Sequence, residues 1–155
     1  LRIFSNDLGP DGANYLDVLE VQPMSTNREL LRNEIRNLIP QRATPLYEVA
    51  GTSFADMVAG YDPAQINAIV LLTDGVNDDG DTFDDNDQLN QLLTQLDDGT
   101  NGENSQPVRV FTIAYGSDAD LATLEEISQA TNAAAYDASN PETISKVFTA
   151  VVSNF

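Results

Sequence analysis

Residues 66–72 read INAIVLL and run directly into Thr73, Asp74 and Gly75. The run is almost continuously apolar and shows no alternation, which is typical of a parallel strand that is covered on both faces. It ends abruptly in a polar turn, and open α/β sheets bind their ligands outside the carboxyl ends of such strands. This stretch therefore predicts the centre of an α/β fold and a candidate site at Asp74.

The segments that follow this strand continue to alternate between helix and strand. Residues 89–96 carry leucines at helical spacing, and residues 108–114 (VRVFTIA) form a second apolar run. The later elements are a helix with Leu121, Leu124 and Ile127, a short strand at 133–136, and a last helix opened by Asn140 and Pro141. Such alternation predicts parallel strands joined by helical crossovers.

The segments before the central strand begin with two short strands. Residues 1–5 and 16–22 are strand-like, and the short turn between them predicts an antiparallel pair with an edge strand. Two helices follow, one with Thr26 and Glu29 as a capping box and one with Thr44 as N-cap. We therefore predict one doubly wound domain over residues 1–155, with three Rossmann-like layers and a mostly parallel sheet carrying one antiparallel edge strand.

Composition excludes several classes of function. The 155 residues include no cysteine and no histidine, so a disulfide framework, a thiolate or histidine metal site and a Ser-His-Asp triad are excluded within this chain. The formal net charge of -18 opposes binding to phosphate backbones, so no nucleic-acid partner is expected, and it attracts cations. A single lysine with abundant aspartate fits a secreted protein or one from a salty habitat.

Two oxygen-bearing side chains stand where a ligand would bind. Thr44 precedes a helix and Asp74 ends the central strand. A hydroxyl and a carboxylate together suit Mg²⁺, Mn²⁺ or Ca²⁺. Each residue also has an ordinary structural interpretation, because Thr44 followed by Pro45 suits a helix start and Asp74 followed by Gly75 suits a turn.

An acidic loop follows the central strand. Its glycines do not fit the EF-hand spacing, which needs glycine in the sixth position. The main interpretation is a solvated loop whose last aspartates favour the next helix N-terminus. The alternative is a secondary calcium site, with candidate ligands Asp78, Asp79, Asp81, Asp84 and Asp85.

No catalytic set emerges from the sequence, so an enzyme is not expected. The chain has neither the dinucleotide-binding glycine pattern nor the phosphate-binding loop with its lysine. A metal-dependent hydrolase is the enzymatic alternative, and the lack of histidine, cysteine and any recognisable nucleophile argues against it.

Three stretches together resemble a von Willebrand factor type A (vWA) domain. They are 42–47 (RATPLY), 69–75 (IVLLTDG) and 110–116 (VFTIAYG), in the family's order, and 135–155 is similar to the ending of vWA modules in bacterial surface proteins. The resemblance implies an extracellular or cell-surface, non-enzymatic binding module with a metal-ion-dependent adhesion site. Thr44 and Asp74 would hold a divalent cation, most simply Mg²⁺, and Thr73, Gly75 and Asn77 would form the rim.

The resemblance also implies a partner and a missing part. An acidic group of a protein or peptide ligand would complete the metal shell. The family's first strand, which is central in its sheet and leads into a D-x-S-x-S loop, has no counterpart in this sequence. We therefore expect the chain to be a piece of a longer polypeptide. The strand would come from a missing N-terminal segment or a neighbouring chain, and the alternative function is a structural or assembly domain without a working metal site.

Overall fold

The strands and helices follow the alternation that the sequence predicts. A computed structural model describes residues 1–41, 43–103 and 105–153; Arg42, Asn154 and Phe155, which belong to stretches with the family resemblance, lie outside them. The elements are β1 (Arg2–Phe4), β2 (Tyr15–Asp17), α1 (Met24–Asn37), α2 (Leu46–Ala59), β3 (Ala68–Thr73), α3 (Asp85–Asn101), β4 (Arg109–Tyr115), α4 (Leu121–Gln129), β5 (Ala135–Ala138) and α5 (Ile144–Ser153). Short 3-10 turns occupy Pro10–Gly12 and Pro141–Thr143.

The described strands form two separate sheets. β3, β4 and β5 pair in parallel in that order, with Ile69 opposite Val110 and Ile113 opposite Tyr136. β1 and β2 form an antiparallel pair, as the short connection predicts, with Ile3 opposite Leu16. The α/β class and the parallel pairing of the two apolar runs are therefore confirmed.

Helices cover both faces of the parallel sheet. Alternate residues of β4 enter different clusters, because successive side chains of a strand point to opposite faces. Val110 and Ala114 pack with residues of α2, α3 and α4, whereas Phe111 and Ile113 pack with Val147 and other residues of α5. The central strand β4 is thus the one whose two faces are both well covered.

β3 differs from the expectation that both of its faces are buried. Leu71 is 7% exposed and packs under α2, but Val70 and Leu72, on the other face, are 43% and 45% exposed. The expectation of burial on both faces is wrong for the described residues, because on the second face Ala68 packs against the cluster that includes Val147 of α5, whereas Val70 and Leu72 lie outside that cluster.

The helix starts also differ from the caps read in the sequence. α1 begins at Met24, so Thr26 lies inside the first turn, where its hydroxyl donates to the carbonyl oxygen of Pro23. α2 begins at Leu46 with Pro45 in the capping position, which supplies no side-chain cap; of the first amides, the Tyr47 N–H donates to the side-chain oxygen of Asn77. Thr44 is therefore not a helix cap, whereas Gly60 ends α2 as predicted.

Candidate functional site

The site region begins where β3 ends. Thr73 is buried, and its hydroxyl accepts a hydrogen bond from the Gly75 backbone N–H at 3.3 Å. This contact folds the chain into a tight turn directly after the strand. Asp74 lies in the turn with its side chain exposed to solvent. Thr73 thus supports the turn from beneath, and Asp74 offers a carboxylate at the carboxyl end of the sheet.

Thr44 lies beside this turn because its backbone pairs with the loop after β3. Its N–H donates to the carbonyl oxygen of Asp78 at 2.8 Å, and the Asp78 N–H donates back to the carbonyl of Thr44 at 2.9 Å. A methyl group placed on Gly75 would lie 3.3 Å from the Thr44 hydroxyl oxygen. The structure therefore brings together Thr44 and Gly75, which are 31 positions apart in the sequence.

Asn77 ties the start of α2 to the start of α3. It is 8% exposed, and its side-chain oxygen accepts from the Tyr47 N–H at 3.2 Å. Its side-chain nitrogen donates to Asp85 Oδ1 at 2.6 Å, in the first turn of α3. Asn77 is therefore a buried link beneath the site and does not line its surface, which corrects the expectation that it forms part of the rim.

Tyr47, whose backbone N–H bonds to Asn77, has a partly buried side chain. Burial raises the pKa of the Tyr47 hydroxyl, and the negative charges of Asp85, Asp120 and Glu126 act in the same direction, while a hydrogen bond with Thr123 opposes them. The phenol stays protonated at neutral pH. It is a neutral neighbour of the site and supplies no anionic ligand there.

The acidic loop is organised by its own hydrogen bonds. Asp79 accepts from the Asp81 N–H and from the Gln88 side chain, and these bonds hold the pKa of Asp79 below its usual range. Gln88 also donates to Asp84, so one amide ties two points of the loop to α3. Asp81 in turn accepts from the N–H of Phe83, which is fully exposed.

The oxygen donors suit a hard divalent cation but are few. Within residues 1–41, 43–103 and 105–153, no group of three acidic side chains is placed to hold a metal ion. Thr44 and Asp74 supply a hydroxyl and a carboxylate, the donor types that Mg²⁺ prefers. Mg²⁺ takes six oxygen ligands, so these two residues could provide part of a shell that water and other groups would complete.

The sequence reasoning missed Asn6. This residue follows β1, and its side-chain nitrogen donates to the carbonyl oxygen of Asp79 at 3.3 Å, which places it at the same edge as the acidic loop. Its side-chain oxygen is buried and has no hydrogen-bond partner among the described residues. An asparagine just past a strand end is the signal that could have identified it, since polar residues in that position face the ligand-binding edge.

The predicted residues thus separate into three groups. Thr44 and Gly75 lie against each other, with Asp74 in the same turn and Asp78 bridged to Thr44. Thr73 and Asn77 lie beneath this surface. The remaining aspartates of the loop bond locally or enter the first turn of α3: Asp79, Asp81, Asp84 and Asp85.

Comparisons with known proteins add no assignment. No protein-family model matches the chain, and no curated protein matches it. Among the described helices, none combines the length and the apolar character that crossing a bilayer requires.

Proposed function

We propose that the chain is a non-enzymatic binding module of the vWA type, which recognises a protein or peptide ligand through a divalent cation. The sequence resemblance supplies the class. The observation that carries the proposal is the meeting of Thr44 with Gly75 at the carboxyl end of β3, next to the exposed carboxylate of Asp74. The residues that the resemblance selects for the metal site come from separate parts of the chain, and they occupy one edge of the fold.

The two protein donors would hold the cation from one side. Asp74 would supply the negative charge, directly or through a water molecule, and Thr44 would supply a hydroxyl oxygen. When bound, Mg²⁺, or in its place Mn²⁺ or Ca²⁺, would present open positions to an acidic group of the partner. A D-x-S-x-S segment, which this sequence lacks, would complete the shell from a preceding segment or a neighbouring chain.

Composition supports a location outside the cell or on its surface. The chain has 25 acidic residues, 7 basic residues and no cysteine. An acidic surface keeps a domain soluble, and it attracts the divalent cations that an adhesion site needs. The resemblance to modules of bacterial surface proteins favours the same location.

Paramagnetic relaxation by Mn²⁺ tests the cation site in the chain as it exists. Mn²⁺ broadens the amide signals of nearby residues even when it binds weakly, so an incomplete site remains detectable. We expect preferential broadening at Thr44, Asp74 and Gly75, and we expect a combined Thr44→Val, Asp74→Asn variant to lose it. Broadening that is equal at the exposed Asp97 and Asp98 of α3 would contradict the proposal, because it would show diffuse attraction to an acidic surface.

A matched control separates the site from general charge. An Asp97→Asn variant removes one carboxylate from an exposed position of α3 and should leave the broadening at Thr44 unchanged. For any partner protein, capture is then compared with and without EDTA. Capture that survives chelation would count against recognition through a cation.

A structural or assembly domain is the second candidate function. It is favoured by the finding that no group of three acidic side chains within the described ranges could hold a metal ion. In that case the Thr44→Val, Asp74→Asn variant should keep every interaction of the parent chain. The Mn²⁺ experiment and the capture experiment with this variant together distinguish the two candidates.

A further inference from the structure

An open groove of about 520 Å³ runs between α2 and α3. The residues of its two walls recur at spacings of three or four positions, which places them on one face of each helix. They are Glu48, Thr52 and Ala55 of α2 and Gln88, Gln91 and Gln95 of α3. The groove is therefore formed by the packing of the two helices, and Thr44 and Asp74 do not line it.

The floor of the groove is apolar. Gly51 and Leu92 are buried there. The side-chain nitrogen of Gln95 donates to the Gly51 carbonyl at 3.0 Å, and the side-chain oxygen of Gln95 would lie 2.9 Å from a methyl group placed on Gly51. Together with Ala55, this uncharged part of the groove can cover the aliphatic portion of a ligand.

Negative charge is confined to the end of the groove where both helices begin. Glu48 lies in the first turn of α2, and Asp79, in the loop before α3, is held to that helix by Gln88. Asn77 joins the two helix starts through Tyr47 and Asp85, so the carboxylates of Glu48 and Asp79 belong to the same end. Among the described residues that line the groove, no other is charged.

The polar groups at this anionic end can accept further hydrogen bonds. The side-chain nitrogen of Gln88 donates to Asp79 at 2.8 Å and to Asp84 at 3.0 Å, so its donors are used within the protein. Glu48 accepts from Asn14 through one of its two oxygens. Because a carboxylate has about four acceptor positions, Glu48 and Asp79 can still accept from a ligand. A ligand at this end must therefore supply donors and positive charge.

We infer that the groove between α2 and α3 binds an arginine side chain of a protein or peptide ligand. The guanidinium lies at the end with Glu48 and Asp79, where its planar set of donors meets two carboxylates. The methylene groups of the arginine lie over Gly51 toward Ala55. The net charge of -18 favours the approach of a cationic segment. This inference goes beyond the proposed function and needs no bound cation.

An NMR titration with a capped amino acid tests the inference on the chain as it exists. The probe is N-acetyl-arginine methylamide, with EDTA present and at about 0.15 M salt, which limits general electrostatic attraction to a range of about 8 Å. We expect saturable shifts at the Gly51 backbone amide and at the side-chain amides of Gln91 and Gln95. The citrulline analogue has nearly the same shape without the charge and should bind at least about tenfold more weakly. Equal binding of the two analogues would overturn the inference.

Two variants change the two ends of the groove separately. Glu48→Gln removes a carboxylate from the anionic end and should weaken binding of the arginine probe about tenfold. Ala55→Leu suits a helix and keeps every charge, but it fills the uncharged end and should also weaken binding about tenfold. Glu125→Gln, at an exposed position of α4, is the matched control and should bind like the parent chain. Full affinity in either groove variant, or an equal loss in Glu125→Gln, would overturn the inference.

Two further probes identify the ligand. The lysine analogue carries the same charge on a similar stem, and binding as tight as that of the arginine probe would overturn the assignment to a guanidinium. Free L-arginine that bound at least about tenfold more tightly than the capped form would identify a small-molecule site and overturn the assignment to a peptide. Because EDTA is present throughout, a negative result leaves the proposed cation site untouched, and failure of the Mn²⁺ experiment leaves the groove untouched.

Discussion

The backbones of Thr44 and Asp78 form a two-bond antiparallel bridge, with N–O distances of 2.8 and 2.9 Å. This bridge fixes the loop before α2 against the loop after β3. It places Thr44 by its main chain, so the hydroxyl is not required to hold the segment in position. The side chain of Thr44 therefore does not cap α2.

Thr44→Val separates the two interpretations of this residue. Valine keeps the shape and the bridge but removes the hydroxyl. Losing a helix cap costs about 1 kcal/mol of unfolding free energy, whereas a substitution without such a role changes it by less than about 0.5 kcal/mol. We expect the smaller change in urea unfolding, together with loss of selective Mn²⁺ broadening. A loss near 1 kcal/mol would restore the capping interpretation.

Asn77→Ala should destabilise the fold more than its position in a loop suggests. The substitution leaves the Tyr47 N–H without its acceptor and Asp85 without its donor. Leaving a buried polar group unsatisfied costs about 1–3 kcal/mol, so a loss in this range is expected from urea unfolding. Asn90→Ala, on the exposed side of α3, is the matched control and should cause no loss. Equal stability of the two variants would contradict the role of Asn77 as a link.

Two helical glycines should respond differently to alanine. A methyl group on Gly99 of α3 would lie 2.5 and 2.8 Å from ring atoms of Phe54, which is fully buried. Gly99→Ala should therefore cost about 1–3 kcal/mol through overpacking, and a combined Phe54→Leu substitution should recover part of it. At Gly51 the methyl would lie 2.9 Å from the side-chain oxygen of Gln95, which is the far end of a long side chain whose amide nitrogen donates to the Gly51 carbonyl. The higher helix propensity of alanine, about 1 kcal/mol, should offset that contact, so thermal unfolding should distinguish the pair clearly.

The sequence predicts the parallel part of the fold well because its signal is local. The runs at 66–72 and 108–114 contain more apolar residues in succession than a surface strand would, and both form parallel strands. Helix boundaries were less predictable at Thr26 and Thr44. A threonine before a helical pattern resembles a cap, but the backbone around it, through Pro23 in one case and the bridge to Asp78 in the other, sets where the helix begins.

The location of the site could be predicted from the sequence better than the burial of its residues. Strand ends indicate the edge of the sheet, which is why Asp74 and Gly75 were identified. The burial of Asn77 depends on Tyr47 and Asp85, which belong to two different helices, and spacing along the chain does not reveal such a meeting. The exposure of Val70 and Leu72 was likewise unpredictable, because an apolar run indicates that both faces of a strand are covered but does not show which element covers each face.

The ion pair that joins β1 to β2 gives a prediction for pH. Arg2 contacts Asp17 at 2.8 Å and also reaches Asp56 of α2 at 2.8 Å. The hydrogen bond from Arg2 holds the pKa of Asp17 below its usual range, with the positive charge acting in the same direction. The folded state therefore favours the ionised carboxylate. Its stabilising effect is present above the ordinary aspartate pKa and is lost as pH falls through the lowered value.

Asp17→Asn should consequently lower the free energy of unfolding at neutral pH and leave it unchanged in acid. The pair is partly exposed, so we expect a difference in unfolding free energy of about 0.2–1 kcal/mol near pH 7. The difference should begin to shrink as pH falls below about 4, where Asp17 of the unfolded chain becomes protonated, and should vanish once pH has fallen through the lowered pKa of Asp17 in the folded state. Urea unfolding of both proteins at a series of pH values measures it. Glu103→Gln removes one exposed carboxylate elsewhere and controls for the change in net charge. A difference that persists unchanged at low pH would show that the substitution acts through packing rather than through the ion pair.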